Sequence, residues 1–323
     1  MSFLRSVLFL QKAAYVKEQQ EQVRRQIQYV FPGLEVLSAS DPDEICSGIH
    51  VDAVITPTIE WLPEALAQLG SYRWIHFLSA GVERIWDMPF DKHNVILTKS
   101  SGVHGIPMSE YVLGAMLYFA KNFDQFVHQM AERRWQRAWL NELSGNTVTI
   151  LGMGHVGEFV ARRASAMGMR VVGVQRNPRN SEFAVKSVSM QSVYEILPDT
   201  DYLVVCLPLT ELTRGLVDDK FIGELKKGSV IIDISRGEVV REYSILKALD
   251  SGHLRGAALD VFEEEPLQED SELWARKNVL LTPHVSGTSP HYLQRAIDIF
   301  ICNAHDLEAG RSLSTAINVH EGY

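Results

Sequence analysis

Three apolar runs in the second half of this 323-residue chain each lead into a residue able to do polar chemistry. SVIIDIS (229–235) is followed by Arg236 and Gly237, GAALDVF (256–262) leads to Glu265 just before Pro266, and NVLLTPH (278–284) ends in His284. A guanidinium grips carboxylates and phosphates through a planar fork. An imidazole titrates near neutral pH and can move protons, and a carboxylate beside it favours the charged ring. Taken singly, each has an ordinary alternative: a solvated loop arginine, or a packed histidine. If the three runs are parallel strands, their ends share the edge of a sheet at which open α/β folds bind ligands, and the three groups converge on one crevice.

A fourth stretch supplies a ligand for that crevice. TVTILGMGHVGEFVARRASAMGMRVVGVQRN (147–177) places Gly152, Gly154 and Gly157 in G-x-G-x-x-G spacing, with His155 and Val156 between the last two. The pattern alone is weak. Here it lies between an apolar strand and a helix and is followed by a second strand, which is the context of a dinucleotide turn. Gly152 permits the tight turn, Gly154 lets backbone amides approach a pyrophosphate, and Gly157 lets helix and strand pack closely, while the helix N-terminus offers a positive dipole end. The alternative is a strand-to-helix turn that holds nothing. Binders of NAD carry an acid about 20 residues further on to grip the ribose hydroxyls. This chain has Gln175 and Arg176 there, with Arg179 close by. Without the acid a 2′-phosphate is not repelled, and two arginines can hold it, so NADP(H) is expected ahead of NAD(H). Otherwise the arginines only decorate a surface loop.

These residues need a parallel α/β scaffold, and the chain has its rhythm. Short apolar runs at 7–10, 51–57, 73–79, 147–152, 170–175, 201–208, 229–235, 256–262 and 278–284 alternate with helical patterns. The expected fold is α/β, with two Rossmann-like domains built on doubly wound parallel sheets. From Ser109 to Trp139 no proline or stop cluster interrupts the pattern, which predicts one long helix. A second helix is predicted over 289–310, with Ser289 as N-cap, Pro290 in the first turn and Gly310 at the end. The two long helices connect two units: a nucleotide domain of residues 103–288, inserted into a substrate domain of residues 1–102 and 289–323. The active site is expected in the cleft between them.

Composition bounds the function. A net charge of −9, from 31 Lys and Arg against 40 Asp and Glu, argues against a nucleic-acid surface. Cys46, Cys206 and Cys302 are scattered and odd in number, which shows neither a disulfide framework nor a metal spacing. The opening MSFLRSVLFLQK is broken by Gln11 and Lys12 and lacks a small-residue cleavage site, so it reads as a first strand and not a signal peptide. No run reaches the ~20 apolar residues of a membrane helix. A cytoplasmic location, no membrane partner and no metal are expected.

LGMGHVG, LPLTELTRGLV, ISRGEVV, ALDVFEEEP and TPHVSG occur in an order and spacing that resemble the D-isomer-specific 2-hydroxyacid dehydrogenase family, and SAGVERI (79–85) extends the match toward the N-terminus. Within that family the chain is similar to the glyoxylate/hydroxypyruvate reductase A group, which shares the SAGV-type loop, the non-acidic residues after the second nucleotide-domain strand and a Gly-Tyr ending, here Gly322 and Tyr323. The resemblance implies reduction of a small 2-oxo acid, glyoxylate or hydroxypyruvate first, by hydride from NADPH, giving a D-2-hydroxy acid. Arg236 would bind the substrate carboxylate and polarise the ketone, the backbone amides of Ala80 and Gly81 would add neutral donors, and His284 paired with Glu265 would supply the proton. Asp260 matches a position near the nicotinamide carboxamide and Thr213 one on the cofactor side. Ile234, Ser235 and Gly287 belong to the same cofactor set, and Leu207 and Pro208 either line the adenine or simply end a strand with a turn. Ser109 and Glu110 stand where the family often has Ala-Glu, a conservative departure. Trp135 and Trp139 fall where related reductases place an aromatic residue that reaches a neighbouring subunit, although tryptophans at a helix end also serve as packing anchors; a homodimer through the 109–135 region is expected. Rival readings are a phosphoglycerate-type dehydrogenase, a dinucleotide-sensing co-regulator on the same fold, and a methyltransferase, which the missing acid at Gln175 disfavours.

Overall fold

The computed structural model describes residues 4–319, so the Gly322–Tyr323 ending lies outside the described residues. The chain divides into two compact units, one running to residue 104 and resuming at 289, the other spanning 105–288. The first break falls two residues after the expected one, because the connecting helix begins at Gly105.

The first unit runs β1 (Ser6–Leu10), α1 (Ala13–Val30), β2 (Glu35–Ala39), β3 (Ala53–Thr56), α2 (Leu62–Gln68), β4 (Trp74–Phe77) and β5 (Ile96–Lys99). Its five strands are all parallel, in the order β2-β1-β3-β4-β5. Because side chains alternate along a strand, each apolar run feeds both faces. Val7 and Phe9 pack with Val23 and Ile27 of α1, whereas Leu8 and Leu10 pack with Leu62 and Leu66 of α2. Burial on both faces explains why these strands read as continuous apolar runs.

The second unit begins with α3 (Gly105–Ala120) and α4 (Phe123–Ala131) and continues through β6 (Thr147–Leu151), α5 (His155–Ala166), β7 (Arg170–Val174), β8 (Lys186–Val188), β9 (Tyr202–Val205), α6 (Asp219–Gly223), β10 (Ser229–Asp233), α7 (Glu242–Asp250), β11 (Leu254–Leu259) and β12 (Val279–Leu281). Seven parallel strands lie in the order β12-β11-β10-β9-β6-β7-β8. The order reverses between β9 and β6, the switch point of a doubly wound sheet. One face packs on α3 and α5 through Val112, Met116, Val160 and Ala164, the other on α6 and α7 through Phe221, Ile222, Ile245 and Leu249. The chain then returns to the first unit as α8 (Tyr292–Glu308), where Phe300 stacks on Trp74 at 4.4 Å between ring centroids.

Two helices depart from expectation. The 109–139 stretch is not one helix: Asn122 takes a left-handed conformation with φ 52° and separates α3 from α4, Arg133 repeats this at φ 54°, and the chain beyond is irregular. Asparagine tolerates that region. The break is held by an ion pair remote in sequence, because Arg255 donates to both carboxylate oxygens of buried Asp124 at 2.7 and 2.9 Å and to Asn122 Oδ1 at 3.2 Å. The final helix starts at Tyr292, not Pro290. Ser289 instead forms the preceding turn, its Oγ accepting from His291 N at 3.2 Å and its carbonyl from Tyr292 N. Trp135 and Trp139 are 97% and 98% exposed, so neither is a packing anchor within the chain. No helix among the described residues is long and apolar enough to cross a membrane.

Candidate active site

Because every strand of the second unit is parallel, the residues that follow β6, β7, β9, β10, β11 and β12 all emerge at the same edge of one sheet. The glycine turn joins β6 to α5. Gly152 has φ +100°, and a Cβ there would meet the Cys206 carbonyl oxygen at 2.9 Å. A Cβ on Gly157 would lie 2.0 Å from the Gly152 oxygen, so helix and strand touch backbone to backbone. A Cβ on Gly154, in contrast, would meet nothing within 4 Å. Gly154 and His155 are exposed, Val156 is half-buried, and no side chain caps the start of α5. An open glycine below uncapped helix amides fits a pyrophosphate. After β7, Gln175 Nε2 donates to the Arg179 carbonyl at 3.0 Å, which closes a short loop with Arg176 and Arg179 both exposed on it. That loop fits an additional phosphate.

The loop after β9 is tied to itself: Thr213 Oγ1 donates to the Pro208 carbonyl at 2.6 Å and accepts from Thr210 N at 2.8 Å, leaving Leu207 half-buried and Pro208 exposed. Thr213 thus shapes the turn with its hydroxyl already engaged. After β10, Ile234 and Ser235 are buried and Arg236 is exposed, its Nη1 donating to the Ser235 carbonyl at 2.8 Å. Gly237 has a steric reason of its own. A Cβ there would fall 1.6 Å from the Phe262 carbonyl oxygen, so the loops after β10 and β11 run in contact and no other residue fits. From that second loop Glu265 Oε1 accepts from Phe262 N at 3.2 Å, and its Oε2 lies 2.9 Å from His284 Nδ1. The histidine and the carboxylate are therefore directly paired, and the arginine's loop abuts the loop that carries the carboxylate. His284 itself has φ +53°, a conformation uncommon outside glycine and asparagine, of the kind that clusters at functional sites.

Asp260, fully buried after β11, holds that histidine's loop. Its Oδ1 accepts from Thr282 Oγ1 at 2.6 Å and Val285 N at 2.9 Å, and its Oδ2 from Ser286 N at 2.9 Å. Thr282 also meets the Tyr111 hydroxyl of α3 at 2.8 Å. Next to it, at the end of β10, burial pushes the Asp233 carboxyl up to about 7, although Ser235 donates to Oδ1 through both its N at 2.9 Å and its Oγ at 2.5 Å. The family resemblance named Asp260, for a place near the nicotinamide and not for this anchoring of the loop, and Thr282, Tyr111 and Asp233 were not singled out. The TPH motif carried a signal for Thr282, two residues before the histidine, while Tyr111 had none. Gly287 follows this loop and is half-buried. In the first unit, Ala80 and Gly81 lie half-buried just beyond β4, where Ser100 N donates to the carbonyls of Phe77 and Ser79 at 3.0 and 3.2 Å.

The family relationship can be read against this geometry. Residues 113–286 match the model of the D-isomer specific 2-hydroxyacid dehydrogenase NAD binding domain. The chain is 29% identical over 272 residues to the glyoxylate/hydroxypyruvate reductase A of Photorhabdus laumondii, covering 81% of this chain and 86% of the relative. It is 31% identical over 240 residues to the D-3-phosphoglycerate dehydrogenase of Rattus norvegicus, covering 74% of this chain but 45% of that longer protein. Among solved structures, the NADPH-dependent glyoxylate/hydroxypyruvate reductase of Sinorhizobium meliloti in complex with NADP and sulfate superposes with a TM-score of 0.81 at 28% identity, over 99% of this chain and 100% of that one. A family model spanning the glycine turn, Arg236, Glu265 and His284, together with a full-length structural match, makes the chain a member of the D-isomer specific 2-hydroxyacid dehydrogenase family.

Proposed function

We propose that the protein is a reductase of small 2-oxo acids, glyoxylate or hydroxypyruvate first, with NADPH as preferred cofactor and NADH as second choice. The observation that carries the reading is the 2.9 Å pair of His284 and Glu265, beside the loop bearing Arg236, at the same sheet edge as the glycine turn. When bound, the nicotinamide supplies the hydride that the ketone carbon accepts. Arg236 grips the substrate carboxylate with its planar fork, and the amides of Ala80 and Gly81 are assigned to the same group as neutral donors. Glu265 engages Nδ1 of His284, which leaves Nε2–H as the ring's free donor for the ketone oxygen. In the reverse direction the neutral ring accepts the alcohol proton.

Arg176 and Arg179 are assigned to the adenosine 2′-phosphate, a reading that the NADP held by the Sinorhizobium reductase supports. A homodimer is inferred as well. Phe123, Val127, Met130, Trp135, Trp139 and Leu140 are all exposed within one short segment, more apolar surface than a solitary subunit usually leaves uncovered. The functional reading is tested by a kinetic panel of glyoxylate, hydroxypyruvate, pyruvate and phenylpyruvate with each cofactor, on the natural chain and on Arg176→Asp. The first two acids with NADPH should give the highest kcat/KM, and Arg176→Asp should lower the NADPH-to-NADH ratio by about 10- to 100-fold, the worth of one charge-assisted hydrogen bond. Tight NADPH binding with no turnover of any acid would favour the sensor reading. An unchanged cofactor ratio would remove Arg176 from the phosphate.

A further inference from the structure

His284 is held in a backbone conformation that it would not adopt by preference, and the loop around it shows how. Residues 282–286 wrap a single buried carboxylate. Asp260 takes one side-chain bond from Thr282, before the histidine, and two backbone bonds from Val285 and Ser286, after it. The histidine is thus pinned from both sides, and its own N–H donates back to the Thr282 carbonyl at 3.0 Å. Of these anchors only Thr282 acts through a side chain that substitution can alter without changing the backbone.

The direction of the bonds follows from valence. The Thr282 hydroxyl has one proton and gives it to Asp260 Oδ1, so it accepts from the Tyr111 hydroxyl. Burial pushes the Tyr111 phenol up to about 12, which keeps it a donor at neutral pH. A relay thus runs from α3, through β12, to the end of β11, across sequence separations of 171 and 22 residues. Nothing in the reduction itself requires a phenol and a threonine hydroxyl at this place. We propose that Tyr111 and Thr282 are positioning residues that hold the His284 loop on Asp260 and so aim the imidazole at the reacting oxygen. The proposal rests on His284 being the proton donor.

Thr282→Val keeps shape and volume while removing the hydroxyl, Thr282→Ser restores it, and Tyr111→Phe removes only the outer donor. With glyoxylate and NADPH, Thr282→Val should lower kcat by about 10- to 100-fold, the effect expected when a catalytic group shifts by about 1 Å. Its NADPH dissociation constant should stay within about twofold of the natural chain's. Thr282→Ser should return kcat to within about threefold, and Tyr111→Phe should cost about three- to tenfold; the Tyr111→Phe/Thr282→Val double variant should lose less than the product of the two single losses, because both sit on one chain of bonds. A readout without turnover accompanies this: imidazole nitrogen resonances of His284 in the cofactor-free protein, identified by their absence in His284→Gln, should move in Thr282→Val and return in Thr282→Ser. A folded Thr282→Val with natural kcat and unmoved resonances, or a Thr282→Ser as impaired as Thr282→Val, overturns the proposal. Should Thr282→Val fail to fold, Tyr111→Phe decides alone: unchanged kcat and unchanged resonances overturn it. If the natural chain reduces no 2-oxo acid, the functional reading fails, while the resonances still test the positioning.

Discussion

His76, in β4, is completely enclosed between the aromatic rings of Trp74 and Phe300 and the edge strand β5. Its hydrogen bonds fit the neutral ring. Ser100 Oγ donates to the Phe77 carbonyl, so it must accept from His76 Nε2–H. Trp74 Nε1 donates to Thr98 Oγ1, whose own proton then points at His76 Nδ1. The neutral ring satisfies every one of these groups. Burial accordingly pushes its pKa down to about 3. A histidine whose folded pKa lies below its unfolded value contributes fully above about pH 6.5, and that stability is lost as pH falls toward 3. Asp233, raised to about 7, works the other way, its penalty easing over much of the same acid range. Comparing His76→Gln with the natural chain isolates the histidine. Between pH 7 and pH 4.5 the natural first unit should lose about 2 to 3 kcal/mol more stability in urea titrations than the variant. Equal losses would show that the ring titrates normally. The same contrast explains what the sequence disclosed of the site. Arg236, Glu265, His284 and the three glycines each announce themselves locally, at the end of an apolar run. Thr282 and Tyr111 draw their roles from partners brought in by folding, as His76 does in the first unit, and no local spacing encodes those partners.

At the level of elements, the interior strands were legible because both of their faces are covered. Runs such as TVTIL and SVIID are buried at every position. Three strands were not foreseen, β2, β5 and β8, and all three lie at sheet edges. EVLSA, ILTK and KSV are short and only partly buried, so none of them stands out as a continuous apolar run. The helix over 109–139 was misread for a different reason. Periodicity sees that a segment can be helical, but not that a buried Asp124 will be claimed by Arg255 from β11, which favours a left-handed Asn122 over continuation of the turn. The misplaced start of α8 is smaller. Ser289 makes a capping-type bond two residues early, to His291 N, within a turn that delivers the chain into the helix.

The whole molecule carries a net charge of −9, so the anionic ligands proposed for it need local cations, the role assigned above to Arg236, Arg176 and Arg179. The uncovered apolar segment of residues 123–140 gives the dimer inference its test. Sedimentation velocity should show a dimer at micromolar concentration, and Trp135→Ser with Trp139→Ser should shift it toward monomer; a natural chain that sediments as a monomer would contradict it. The central claim is that His284 donates the proton to a 2-oxo acid while hydride comes from NADPH. Its most direct test is the single-turnover rate of NADPH oxidation by glyoxylate in the natural chain and in His284→Gln, with NADPH affinity measured on both. The account predicts a rate lower by about 10²- to 10⁴-fold with affinity unchanged. A His284→Gln protein that oxidises NADPH within about tenfold of the natural rate would contradict it.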